Sequence, residues 1–298
     1  MCRYPHLPQT MPLVSRLGLR TLLLVLLAWA SICANGEAAD KIPGLLTVRD
    51  ALTLPNHPVR IDARLTAAGQ SDDRPLAGVL LHLRIDGKAI ASQTTNQAGQ
   101  VSFDYLPKMR GTNVINLSVD PAATVSAEMR EATLCVWERR RPIVLVELES
   151  LMQPGSASSA PSAPAGSVGR PAAEPVPDAA DELSKLTQYY YNVVYVPGSE
   201  SALMGNDAAH TLRQWLVSHK FPPGFVAVPG TGGLSATLDG FKQDGWTTMK
   251  SGIGRTRAFA DTLLQHRLEV VVVPELPKGE LPRKAKGAHD WKDVRKKL

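Results

Sequence analysis

Between residues 45 and 138 the chain alternates apolar and polar positions with a period of two. Val59, Ile61, Ala63 and Leu65 form one such run; Leu81, Leu83 and Ile85 a second; Val101, Phe103 and Tyr105 a third; Ile115, Leu117 and Val119 a fourth; Leu134 and Val136 a fifth. Alternation of this kind turns one face of each strand to a core and the other to water. Asp86-Gly87, Asn96-Gln97-Ala98-Gly99 and Arg110-Gly111, placed between the runs, supply residues that accept left-handed backbone angles. The pattern predicts an all-β antiparallel sandwich over residues 45–140.

After Pro142 the pattern changes. Ile143 to Val146 is a continuous apolar run, and further buried strands are expected at 191–196, 225–228, 247–251 and 270–273. Helical periodicity falls between them, at 181–190, 206–219, 238–244 and 255–266, with Ala209, Leu212, Trp215 and Leu216 sharing one face; Trp291, Val294 and Leu298 stripe a last helix. Strands and helices alternating at this scale predict a parallel sheet covered on both faces over residues 141–298, a Rossmann-like arrangement with any site at the carboxyl ends of the strands. Arg139-Arg140-Arg141-Pro142 separates the two regions with almost no linker. Residues 153–180, rich in Pro, Ala, Ser and Gly, are expected to form a disordered insertion directly after the first strand of the second region.

The first 38 residues carry a different signal. Arg16 and Arg20 precede the apolar stretch 21–30, and Ser31, Ala34 and Ala38 follow it. This is the layout of an export signal, cleaved after Ala34 or Ala38 or retained as a signal anchor, and it places the protein in the periplasm or outside the cell. Length and composition agree with more than one core: 298 residues, 44% of them hydrophobic. The formal charge of +5 is dispersed and aromatics make up 5% of the chain, which argues against nucleic acid as a partner. A membrane is expected to be touched only through an uncleaved signal or the basic tail at 278–297. Of the three cysteines, Cys2 and Cys33 fall in the leader and Cys135 is expected to be a buried, inert thiol. No Gly-x-Ser-x-Gly elbow occurs, the glycine-rich segment 229–233 lacks the Gly-Lys-Ser/Thr ending of a P-loop, and the histidines show no paired ligand spacing.

Two resemblances refine this picture. Arg74-Pro75-Leu76-Ala77-Gly78-Val79, Ile85-Asp86-Gly87-Lys88 and Thr94-Thr95-Asn96-Gln97-Ala98-Gly99 resemble bacterial immunoglobulin-like repeats, which implies a spacer or adhesion module. The second region resembles the haloacid dehalogenase superfamily, in its lipin-like or phosphatidate-phosphatase-like branch. Ile143 to Glu149 is similar to the strand that delivers the D-x-D-x-T motif, Val193 to Ser199 to the second motif, Phe221-Pro222-Pro223-Gly224 to the segment before the third strand, and Gly252-Ile253-Gly254 to the start of the fourth.

That resemblance implies a catalytic set of Glu147 as nucleophile, Glu149 as acid/base and Lys242 as charge clamp, with Gly198, Ser199 and Arg255 as ligand-binding positions. The chain departs from the family at the decisive places. Glutamates stand where the family has aspartates, Leu151 replaces the Thr of the first motif, Pro197 that of the second, and Arg255 occupies an acidic position of the fourth. An added methylene displaces a nucleophile by about 1 Å, enough to cost about a hundredfold in rate. The expectation is therefore an exported envelope protein whose degenerate phosphatase-like domain binds or scaffolds. Its partner would be another envelope protein or an anionic ligand, with no cofactor and no metal site. An active phosphatase, in which Mg²⁺ would be required, and a purely structural spacer stay open as alternatives.

Overall fold

The structure is a computed structural model that describes residues 41–69, 74–153, 173–197, 208–228, 230 and 232–298. The export signal, residues 154–172 of the insertion, and both Gly198 and Ser199 lie outside the described residues. The chain divides into two compact units, Met1–Lys41 and Ile42–Leu298. The larger unit contains both regions read from the sequence.

The sandwich is built from β1 (Ile42–Val48), β2 (Ala51–Thr53), β3 (Val59–Ala67), β4 (Leu80–Ile85), β5 (Lys88–Thr94), β6 (Gln100–Tyr105), β7 (Gly111–Val119), β8 (Val125–Ser126) and β9 (Arg130–Val136). One sheet has the order β6-β3-β1-β8 and the other β2-β9-β7-β4-β5. The chain changes sheets at Arg49-Asp50: β1 pairs antiparallel with β3, and β2 pairs parallel with β9. This is an immunoglobulin-like fold. The alternating positions supply its core, with Leu65, Leu81, Leu83, Phe103, Ile115 and Leu117 fully buried.

The Thr-x-x-x-Gly signature has a local cause. Thr95 is buried; its hydroxyl donates to the Leu76 carbonyl at 2.8 Å and accepts from the Val79 amide at 3.0 Å, tying the hairpin to the preceding strand. Gly99 sits at φ +68, where a Cβ would press on the backbone of Leu65 and Leu76. Two short pairing strands, β2 and β8, and the edge strand β5 left no alternating signature; β5 is exposed or half-buried along its whole length. Cys135 is fully buried, and burial pushes its thiol well above the ordinary range.

The second region has six parallel strands: β10 (Ile143–Glu147), β11 (Asn192–Val196), β12 (Phe225–Val226), β13 (Met249–Gly254), β14 (Glu269–Val272) and β15 (Lys286–Gly287), in the order β12-β11-β10-β13-β14-β15. The helices are α1 (Ala179–Tyr189), α2 (Ala208–Ser218), α3 (Gly233–Gln243), α4 (Arg257–Gln265) and α5 (Trp291–Lys297). β10 and β11 are buried at every position, which is why they read as continuous apolar runs. From β10 the chain steps outward to β11 and β12, then returns to β13 on the other side. The strand order therefore reverses at β10/β13, and in open sheets of this kind the carboxyl ends at such a reversal are where a ligand site is expected.

Two element boundaries of the second region differ from the expectation by three residues or more. Helix α3 begins at Gly233 rather than 238, so part of the glycine-rich loop is taken into helix. Strand β13 runs on to Gly254 rather than ending at 251, because α4 packs so closely on it that a Cβ at Gly252 would overlap Leu263 and one at Gly254 would overlap Phe259. Glycine, a poor strand former, is demanded there by helix packing.

The sandwich and the parallel sheet share a core. Cys135 and Trp137 pack in one cluster with Ile143, Leu145, Val194 and Leu238, and Trp137 meets Trp246 edge to face at 6.3 Å. At the centre of the junction lies Asp50, whose side chain is inaccessible to solvent. Its Oδ1 accepts from the Thr133 amide of β9 at 2.7 Å, its Oδ2 from the Val226 amide of β12 at 2.8 Å, and the Arg213 guanidinium stands 2.7 Å away. Arg213 in turn donates from Nη1 to the Glu131 carbonyl at 2.5 Å. β12 is the edge strand of its sheet, and the sandwich closes that edge by taking an N–H that no neighbouring strand receives.

Removing one member of a buried ion pair typically costs about 3–5 kcal/mol. Asp50→Ala strands Arg213 and two backbone amides, and chemical denaturation should show a loss in that range, with Asp50→Asn losing less because one acceptor oxygen remains. Calorimetry of the wild type should show the sandwich and the parallel sheet melting together.

Candidate functional site

The carboxyl ends of the strands at the strand-order reversal are organised by Glu147, the last residue of β10, which is 1% exposed. Its Oε2 accepts from the Arg255 amide at 2.6 Å and the Thr256 amide at 2.8 Å, and its Oε1 accepts from the Thr256 hydroxyl. Thr256 caps the N-terminus of α4, its Oγ1 also accepting from the Phe259 amide at 3.2 Å. A helix N-terminus leaves backbone N–H groups without partners and carries partial positive charge, so it attracts an anion. Here the anion is the protein's own carboxylate. Burial raises the Glu147 carboxyl above its usual range, opposed by the Thr256 hydroxyl, the two amides and the charge of Arg255. Close approach requires Gly254, where a Cβ would stand 2.8 Å from Glu147 Oε2.

Beyond Glu147 the chain makes a single 3₁₀ turn, Leu148–Ser150, that carries Glu149 half-buried. The turn is fixed from two sides: the Ser150 hydroxyl donates to the Glu147 carbonyl at 2.6 Å, and the buried Trp291 indole donates to the Ser150 carbonyl at 3.1 Å. Arg255 is half-buried beside both acids. Burial pulls its guanidinium down, while Glu147 and then Glu149 push it back up. Its Nε and Nη2 are buried and make no hydrogen bond among the described residues.

Glu147, Glu149 and Arg255 thus come together, and Lys242 does not join them. Helix α3 runs antiparallel to the strands, so Lys242, near its end, lies at the amino edge of the sheet, exposed, with its Nζ 2.9 Å from His266 Nδ1. Matching by position along the chain took no account of which end of the sheet a helix terminus reaches. Gly198 and Ser199 lie outside the described residues; Pro197, just before them, is half-buried at the end of β11. Thr256 was not singled out from the sequence, although a Thr directly before an amphipathic run is a cap signal.

The Mg²⁺ implied by the resemblance does not fit the residues present. Both oxygens of Glu147 already receive donors, and the Arg255 guanidinium adds a positive charge beside them. Among the described residues no group of three or more His, Cys, Asp and Glu is placed to hold a metal ion. Glu147 is buried, and each of its two oxygens accepts at least one hydrogen bond from the start of α4.

No family model matches the chain, and no curated protein matches it. Solved structures similar to it include the D00-D0 domain of intimin, with 14% identity and a TM-score of 0.26 over 35% of this chain and 52% of the intimin chain. The chain therefore spans about half of that structure. The CARDB domain of the PF1109 protein from Pyrococcus furiosus has 16% identity and a TM-score of 0.23, covering 32% of this chain and 96% of its own. The PKD domain of an M14-like peptidase from a Thermoplasmatales archaeon has 9% identity and a TM-score of 0.25, covering 34% of this chain and all of its own, 100%.

Glu147→Ala leaves buried amides without an acceptor, a change worth about 1–3 kcal/mol per group, and should destabilise the fold measurably in urea titrations. Glu147→Gln keeps the shape and one acceptor oxygen and should cost less. A carboxyl whose value is raised by folding binds its proton more tightly in the native state, so its contribution to stability falls as pH rises from the usual carboxylate range through the raised value. The stability difference between wild type and Glu147→Gln, measured across that window, should move in favour of the Gln variant as pH increases.

Proposed function

We propose that this chain is a non-catalytic binding module of the cell envelope, an immunoglobulin-like sandwich fused to a haloacid-dehalogenase-type domain that no longer performs phosphoryl transfer. The observation that carries this reading is the commitment of both Glu147 oxygens to the N-terminus of α4. The strand order supports the resemblance in the second domain: the strand similar to the first motif is central, with those of the second and fourth motifs as its two neighbours. The leader, with its arginines, apolar stretch and small residues, supports export.

In this reading the site recognises rather than reacts. Arg255 supplies buried N–H groups with no hydrogen-bond acceptor among the described residues, and its charge suits a phosphate or carboxylate presented at the carboxyl ends of β10 and β13. The neighbouring acids keep the guanidinium in place and limit the site to small or singly presented anionic groups.

Incubation of the full chain with an aryl phosphate across Mg²⁺, Mn²⁺ and Ca²⁺ should release phosphate no faster than buffer, and Glu147→Gln should behave identically. Orthophosphate should raise the melting temperature of the wild type more than that of Arg255→Gln. Mg²⁺-dependent turnover abolished by Glu147→Gln would establish an active phosphatase instead. Equal phosphate shifts in the two proteins would reduce the site to a structural remnant and the chain to a spacer.

A further inference from the structure

In an all-parallel sheet every helix returns to the same side, so the connections that precede the strands share one edge. Across the spatial order β12-β11-β10-β13-β14-β15 that edge carries an exposed cation at nearly every strand: Lys220 before β12, Arg140 before β10, Lys250 at the start of β13, Arg267 before β14 and Lys284 before β15. At β11 the place is taken by Tyr189 and Tyr190, exposed to 68% and 66%. The row spans six strands, and a spacing of about 4.8 Å per strand makes it roughly 24 Å wide.

These cations differ from others on the same domain in their partners. Lys185 and Arg295 pair with Glu182, Lys292 with Asp178, Arg257 with Asp261 and Lys297 with Asp293. None of Arg140, Lys220, Lys250, Arg267 and Lys284 forms an ion pair among the described residues. Of the acids along that edge, Glu138 is engaged by Arg110 and Glu269 by Lys286, and Asp244 is exposed. The edge therefore presents unneutralised positive charge in a line, with two tyrosines whose amphipathic rings suit the boundary between water and lipid.

We propose that the amino edge of the parallel sheet is a docking surface for an anionic lipid bilayer. Charge complementarity carries the choice of partner. The cations come singly from successive strand connections and form a broad row, so they meet a charged plane, each adding attraction to the acidic headgroups. Exposed tyrosines add interfacial contact without requiring a cavity. This surface is at the opposite end of the strands from Glu147 and Arg255, so docking leaves that end toward the aqueous side, and the two proposals succeed or fail separately.

Co-sedimentation of the full chain with vesicles of phosphatidylcholine, and of phosphatidylcholine with 30% phosphatidylglycerol, reads the charge-dependent part of binding; any apolar contribution of the leader is common to both. Wild type should bind the anionic vesicles at least about tenfold more tightly at low salt, with the preference falling steeply at high salt. The triple variant Arg140→Ser, Lys250→Gln, Arg267→Gln should lose most of that preference while keeping the wild-type melting temperature. Substituting Lys292 and Lys296 by Gln, in the basic last helix, should leave it intact. Equal binding of wild type to both vesicle types overturns the proposal. So does a triple variant that keeps the preference, or a wild type captured by heparin with no preference among vesicles, which would mark a soluble polyanion as the partner.

Discussion

The contact on which the functional account depends is the carboxylate of Glu147 lying on the N-terminus of α4. Three donors converge on it from Arg255 and Thr256, and each hydrogen bond to a buried charge is worth roughly 1.5–3 kcal/mol. That offsets part of the cost of taking the charge out of water, which in real proteins is several kcal/mol per ion, and the remainder keeps the carboxyl above its usual range. The extra methylene of glutamate matters here as geometry. It carries the carboxylate across from the end of β10 to the turn after β13, whereas an aspartate, shorter by about 1 Å, would hold its oxygens back at the strand end. Glu147 is thus a brace between the end of β10 and the turn that follows its neighbour β13.

Asp50 does comparable work at the other end of the molecule's architecture. It too is a buried carboxylate held by backbone amides and a guanidinium, and burial raises its carboxyl against the pull of Arg213, Thr133 and Val226. Its amides come from different layers, one from the sandwich and one from the edge of β12 that no neighbouring strand pairs with. A two-residue edge strand has little pairing of its own, and the sandwich completes it. The domains are therefore welded through polar groups as well as through the apolar cluster around Trp137 and Trp246.

How far these features were readable in the residues follows from where their causes lie. The sandwich strands with one wet face, the fully buried β10 and β11, and β14 beyond its exposed Glu269 announce themselves by period, because burial acts on each position separately. β5 escaped because an exposed edge has no apolar face to repeat, and the extent of β13 escaped because its glycines answer to Phe259 and Leu263 of a helix that comes later in the chain. At the site, an acid at the end of an apolar strand was legible in Glu147. Its occupation by Thr256 was not, since that depends on β13 pairing with β10. Lys242 was drawn into the site by chain order, and topology returns it to the far edge with His266. Asp50 and Arg213, far apart in sequence and ordinary in composition, gave no sign of meeting.

The account is tested most directly by the side-chain carbon resonance of Glu147, followed by nuclear magnetic resonance through a pH titration with and without Mg²⁺. If the carboxylate is buried against α4 with no metal, burial holds its midpoint above the usual carboxylate range against the pull of the Thr256 and Arg255 donors, and it stays there when millimolar Mg²⁺ is added. A midpoint that drops on adding Mg²⁺, with a shift in the resonance that saturates, would show the carboxylate binding the metal, and the site would have to be reassigned to catalysis.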